Sequence, residues 1–157
     1  MRAAVVTVST RAAAGIYPDD AGPAVADVLR EVGFEVGEIV VVPDGRAGVA
    51  AAITAACEVA DLVVTSGGTG LHPKDLTPEA TLDVVDRLAP GFAEAMRAAS
   101  MTVTPMAMLS RAVAGICGRT LVLNLPGSPK GAVESLRAVT PALAHAVDQL
   151  RGGDHPR

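Results

Sequence analysis

One stretch of this sequence constrains the fold more than any other. Asp61-Leu62-Val63-Val64-Thr65 runs without a break into Ser66-Gly67-Gly68-Thr69-Gly70. A short apolar, β-branched run bounded by glycines has the pattern of a strand buried on both faces. The residues before it, Gly48 to Ala60, are dominated by alanine, the best helix former. Helix, buried strand and glycine turn in that order form the joint of a parallel α/β sheet, whose ligands collect beyond the carboxyl ends of the strands.

The rest of the chain repeats the alternation. Ala3 to Val8 is a β-branched strand run, and Gly22 to Val32 has helical apolar spacing that stops at Gly33. Phe34 to Val42 is expected as the next strand, ending at the turn cluster Pro43-Asp44-Gly45. Thr77-Pro78-Glu79 has the form of an N-cap with proline at the first helical position, predicting a helix over 78–88. Pro90-Gly91 breaks it, Phe92 to Ala99 resumes a helix, and Met101 to Leu109 has no clear pattern. Ala112–Ile116 and Arg119–Leu125 flank Cys117-Gly118 as a hairpin, which adds an antiparallel edge strand. A last helix runs to Leu150, bent or restarted at Pro141, and 152–157 is expected to be a flexible tail. The class is α/β, a mostly parallel sheet with helices on both faces, in one domain over 1–157.

Composition narrows the partners. With 157 residues carrying 13 Lys+Arg against 17 Asp+Glu, the net charge of −4 disfavours a protein that coats nucleic acid. Aromatics make up 2%, too few for a base-stacking platform or a flavin sandwich. No segment has the length and apolarity of a membrane span. Two cysteines, Cys57 and Cys117, are too few for a disulfide scaffold and suit a reduced cytoplasm, the expected location. The histidines, His72, His145 and His155, are scattered and form no metal-ligand spacing with the cysteines.

Three loops carry the candidate chemistry. In Ser66-Gly67-Gly68-Thr69-Gly70, the missing side chains let backbone N–H groups converge on an anion, and the two hydroxyls add donors. Pro126-Gly127-Ser128-Pro129-Lys130 has the form of a helix start, with Ser128 as N-cap and free amides at the positive end. A tight turn would account for the first loop equally well, and a capped helix start accounts for the second better than a ligand does when that loop is taken by itself. Among eleven arginines the chain has only two lysines, Lys74 and Lys130, one just after the glycine turn and one in the second loop. Asp44 and Asp75 end up on the same rim, where carboxylates either hold Mg²⁺ or accept ligand N–H and O–H groups. Asp19-Asp20 and Ser110-Arg111 are polar loop pairs placed to reach a ligand, though surface loops carry such pairs too and spacing alone favours that reading.

These loops resemble the molybdopterin adenylyltransferases of molybdenum cofactor biosynthesis (the Mog/MoaB type), and are similar to the N-terminal domain of gephyrin and the corresponding domain of plant Cnx1. The resemblance rests on VTVSTR (Val6–Arg11) with DDAGP (Asp19–Pro23), VVPD (Val41–Asp44), TSGGTGLHPKDLTPEAT (Thr65–Thr81) and LSRAVAGICGRTLVLNLPGSPKGAVESL (Leu109–Leu136). It implies a three-layer α/β/α domain, a homotrimer, and transfer of AMP from Mg-ATP to the terminal phosphate of molybdopterin with release of pyrophosphate. Carried over by position, Asp44 and Asp75 would be catalytic and would hold Mg²⁺ directly or through water. Ser66, Gly67, Gly68, Thr69, Gly70, Ser110, Asn124, Pro126, Gly127, Ser128 and Lys130 would bind substrate. The chain departs from the family pattern at Lys74 (often Arg), Ala21 (commonly Ser) and Thr10 (frequently Asp). The alternatives are a family member that binds molybdopterin without catalysing transfer and, without the resemblance, a flavodoxin-like nucleotide binder.

Overall fold

The computed structural model describes residues 1–153; the last four positions of the expected tail, with His155 among them, lie outside the described residues. Its strands are β1 (Arg2–Val8), β2 (Glu35–Val36), β3 (Val40–Val42), β4 (Leu62–Ser66), β5 (Arg87–Leu88), β6 (Ala114–Cys117) and β7 (Thr120–Leu125). Its helices are α1 (Thr10–Ala13), α2 (Ala21–Glu31), α3 (Arg46–Cys57), α4 (Thr77–Leu82), α5 (Pro90–Met101) and α6 (Pro129–Leu150), with a 3₁₀ turn over Pro105–Leu109. The seven strands form one sheet in the order β2-β1-β4-β7-β6-β5, with β3 also paired to β1. The β1, β2, β3, β4 and β7 pairings are parallel, and β6 and β5 are antiparallel.

Side-chain alternation builds a core on each face. Ala3, Val5, Leu62, Val64, Leu121, Leu123 and Leu125 pack with Val25, Leu29, Met96, Leu136 and Leu143 of α2, α5 and α6. The intervening Val6, Val8, Val63 and Val122 pack with Val49, Ile53 and Ala80 of α3 and α4. This is the expected three-layer arrangement. The parallel strands all end at one rim, which therefore gathers the loops after β1, β3, β4 and β7.

Four local expectations are corrected. The single strand over 34–42 is two, because the chain leaves β1 at Gly37 and tucks Ile39 against the α2 core before pairing again. The helix expected over 78–88 stops at Leu82, and Arg87–Leu88 joins β6 instead. Gly115 makes that possible, since a Cβ there would stand 2.8 Å from the Val85 side chain. Consequently the outermost antiparallel strand is β5 and not an arm of the hairpin. Finally, α6 passes through Pro141 as one helix. Pro141 has no N–H for the carbonyl of Arg137, and the neighbouring Thr140 hydroxyl donates to that carbonyl at 3.0 Å.

Candidate functional site

Two clefts open at the carboxyl rim, of about 570 Å³ and about 480 Å³. Gly68 and Gly127 line both, so the glycine turn after β4 and the loop before α6 form a common wall. The wall is held by contacts that only these residue types allow. Gly67 has φ +104°, and a Cβ there would lie 2.2 Å from the Val8 carbonyl oxygen. A Cβ on Gly127 would lie 3.3 Å from the Gly67 Cα, so the two loops touch backbone to backbone. The Ser66 hydroxyl donates to the Pro126 carbonyl at 2.9 Å, and the Gly67 amide to the Leu125 carbonyl at 3.1 Å. Thr77, expected as a helix N-cap, instead donates its hydroxyl to the Gly67 carbonyl at 2.8 Å. At the other loop Ser128 caps α6 as expected, accepting from the Gly131 amide at 3.2 Å.

The two aspartates face opposite sides of this wall. Asp44 lines the larger cleft, where its Oδ2 accepts from the Thr10 amide (3.1 Å) and hydroxyl (2.5 Å). The departure at position 10 thus supplies a donor where an acid would repel the carboxylate. Asp75 lines the smaller cleft with Thr69, Ser110 and Ser128, and its Oδ2 accepts from the Gly70 amide at 3.1 Å. Lys74, His72 and Asp19 also line the larger cleft. Asp19 accepts from the Thr7 hydroxyl at 2.8 Å and the Gly22 amide at 2.9 Å, fixing the start of α2. The Asp-x-x-Gly spacing of 19–22 was the sequence signal for that bond.

Two candidates fall outside both clefts. Asn124 is fully buried; its amide nitrogen donates to Thr65 (2.9 Å) and Thr81 (2.8 Å), and its oxygen accepts from the Val113 amide (3.2 Å). It ties β4, β7 and α4 together beneath the rim. Lys130 lines neither cleft; it stands 80% exposed with its ammonium 3.8 Å from Glu134. The lysine of the cleft wall is Lys74.

Arg111 has a role that its place in the sequence does not announce. Its Nε donates to the Gly70 carbonyl at 2.8 Å, one Nη to the Asp75 carbonyl and the other to the Glu79 carboxylate. Its own amide donates to the Thr69 carbonyl at 2.8 Å. One guanidinium thereby fastens the end of the glycine turn and the Asp75 segment that follows it to α4, a use of the planar fork that lysine cannot imitate.

The Arg111 hydrogen bond, ahead of the opposing burial, holds the Glu79 carboxyl below the usual glutamate range. A depressed carboxylate stabilises the fold above its unfolded pKa and loses that contribution as pH falls through the folded value. Both side chains are about one-third exposed, so solvent screening keeps the pair to about 1 kcal/mol. Glu79→Gln is therefore expected to lower the melting temperature at pH 7, with the gap to the native chain closing as the pH falls through and below the ordinary glutamate range. A gap that stays constant on acidification would show that this ion pair is not its source.

Comparison with known proteins gives consistent matches. Residues 4–145 match the family described as "Probable molybdopterin binding domain". The molybdopterin adenylyltransferase of Helicobacter pylori is 43% identical over 152 residues, spanning 94% of this chain and 86% of that protein. That of Escherichia coli K12 is 41% identical over 155 residues, spanning 94% of this chain and 77% of that protein. The crystal structure of the molybdopterin biosynthesis enzyme MoaB from Thermus thermophilus superposes with a TM-score of 0.90 at 47% identity over 96% of each chain.

Proposed function

The chain belongs to this molybdopterin-binding family, as an enzyme of molybdenum cofactor biosynthesis, and we propose that it transfers AMP from Mg-ATP to the terminal phosphate of molybdopterin. The observation that supports this reading most is the common wall: two clefts, each with an aspartate, meet at Gly68 and Gly127. Each substrate occupies one cleft and extends its phosphate to the turn between them.

A phosphate monoester is largely ionised at neutral pH, so no strong base is needed to create the nucleophile. Its oxygen forms a bond to the α-phosphorus, the α–β bond breaks, and pyrophosphate leaves with the electron pair. The protein's task is to hold two anions in line and to stabilise the charge that moves. The glycine turn offers backbone N–H groups for this, and Lys74 adds a positive charge in the larger cleft.

The donor set suits a magnesium ion. Among the described residues no group of three or more His, Cys, Asp or Glu could hold a metal by itself. Mg²⁺ is commonly held by one or two carboxylates with water and substrate phosphates completing the shell. Asp44 is the carboxylate for it in the larger cleft, and when bound the ion neutralises phosphate charge. Asp75, across the wall, acts on the substrate in the smaller cleft.

Residues 1–157 are one such domain, working in the cytoplasm where ATP is supplied. The chain assembles as a homotrimer, a reading supported by the exposed Met101, Val103, Met106, Met108 and Leu109 beside the smaller cleft and checked by sedimentation equilibrium. The test of the reaction is to incubate the chain with molybdopterin, ATP and Mg²⁺ and to measure pyrophosphate together with adenylylated pterin. Stoichiometric formation of both is expected. Bound pterin without pyrophosphate would make the chain a carrier and overturn the enzymatic reading.

A further inference from the structure

The two cysteines line neither cleft. Cys57 closes α3 and Cys117 closes β6, far apart in sequence and both half-buried. Both pack against the apolar cluster that contains Val6, Val63 and Val122. Hydrogen bonds and strand register place them together. Cys117 stands opposite Thr120 in the antiparallel hairpin, so the two side chains leave the sheet on the same face. Thr120 shares that face with Val122, which packs toward α3. From there the Thr120 hydroxyl donates to the Cys57 carbonyl at 3.1 Å and to the Ala60 carbonyl at 2.7 Å. The last turn of α3 and the hairpin end are thus clasped, with both thiols inside the clasp.

We propose that Cys57 and Cys117 are a reversible modification site, a dithiol that a hydroperoxide closes to an intramolecular disulfide. The site lies at the amino-terminal rim of β4 and β7, across the sheet from the glycine turn.

Burial, followed by the neighbouring Cys117 sulfur, pushes the Cys57 thiol up to about 12, so Cys57 stays protonated and the first step falls to Cys117. The Cys117 thiolate attacks the terminal peroxide oxygen; the O–O bond breaks, and Cys117 sulfenic acid results together with, after protonation, one water from hydrogen peroxide or one alcohol from an organic hydroperoxide. The Cys57 sulfur then attacks the sulfenic sulfur, its proton leaving with the departing hydroxide as water. Two thiols have lost two electrons and the peroxide has gained them. The protonated state of Cys57 makes the second step slow.

The test uses the full reduced chain treated with hydrogen peroxide, alkylated with iodoacetamide, digested and analysed by mass spectrometry. Expected are loss of both alkylatable thiols, a cross-linked peptide pair joining positions 57 and 117, and full recovery of both thiols with dithiothreitol. In Cys57→Ser the same treatment should leave Cys117 as a sulfenic acid that dimedone traps. The proposal is overturned if both cysteines remain alkylatable after peroxide. It is equally overturned if they are oxidised singly or only between molecules, with no 57–117 link.

Discussion

Asp75→Ala is expected to leave molybdopterin bound while slowing AMP transfer by about 10²–10³-fold, the usual cost of losing one preorganised electrostatic group. The residue holds the Gly70 amide from within the smaller cleft, so it both shapes the turn and places a charge beside the substrate. Asp75→Asn separates the two effects, because the amide oxygen can still accept from Gly70 while the charge is gone. An Asn variant as slow as the Ala variant is expected. Single-turnover transfer, measured alongside pterin binding, provides the comparison, and an undiminished rate in the Ala variant would remove Asp75 from the mechanism.

Gly67→Ala should be worse for the fold and as damaging to transfer. Its backbone is at φ +104°, and the added Cβ would meet a main-chain oxygen, which cannot swing aside like a side chain. Strain of this kind costs at least about 2 kcal/mol, or about 4–8 °C in melting temperature for a chain of this size. Gly118→Ala is the control: φ is +58°, yet nothing lies within 4 Å of the new Cβ. It should lose about 1 kcal/mol and keep its transfer activity. If both variants melt alike, the crowding at Val8 is not what costs stability.

What could be seen in the sequence was what depends on neighbours in the chain. The buried run before Ser66, the turn glycines and the Ser128 cap are local patterns, and each appears where its pattern put it. Residues whose partners lie far along the chain could not be read this way. Asn124 sits in a loop-like motif, but its partners Thr65 and Thr81 are 59 and 43 positions away, and they draw it into the core. Arg111 reads as a surface charge until Gly70, 41 positions earlier, is seen to need its guanidinium. The helix expected over 78–88 fails for the same reason, because the edge of β6 competes for residues 87 and 88. Lys130 is the lysine that its loop motif favoured, yet it lines neither cleft and stands exposed beside Glu134 at the edge of the smaller one, while Lys74 lines the larger.

Gly68 and Gly127 border both clefts, and that shared boundary amounts to a guide for inhibitor chemistry. Two weak fragments, one seated on each side of Gly68, need only a tether that crosses the glycine pair to be joined. Joining them replaces two separate searches for the protein by one, so the linked compound gains by effective concentration without any new contact. A tether that is longer, or too stiff to bend over the glycine pair, forfeits that gain.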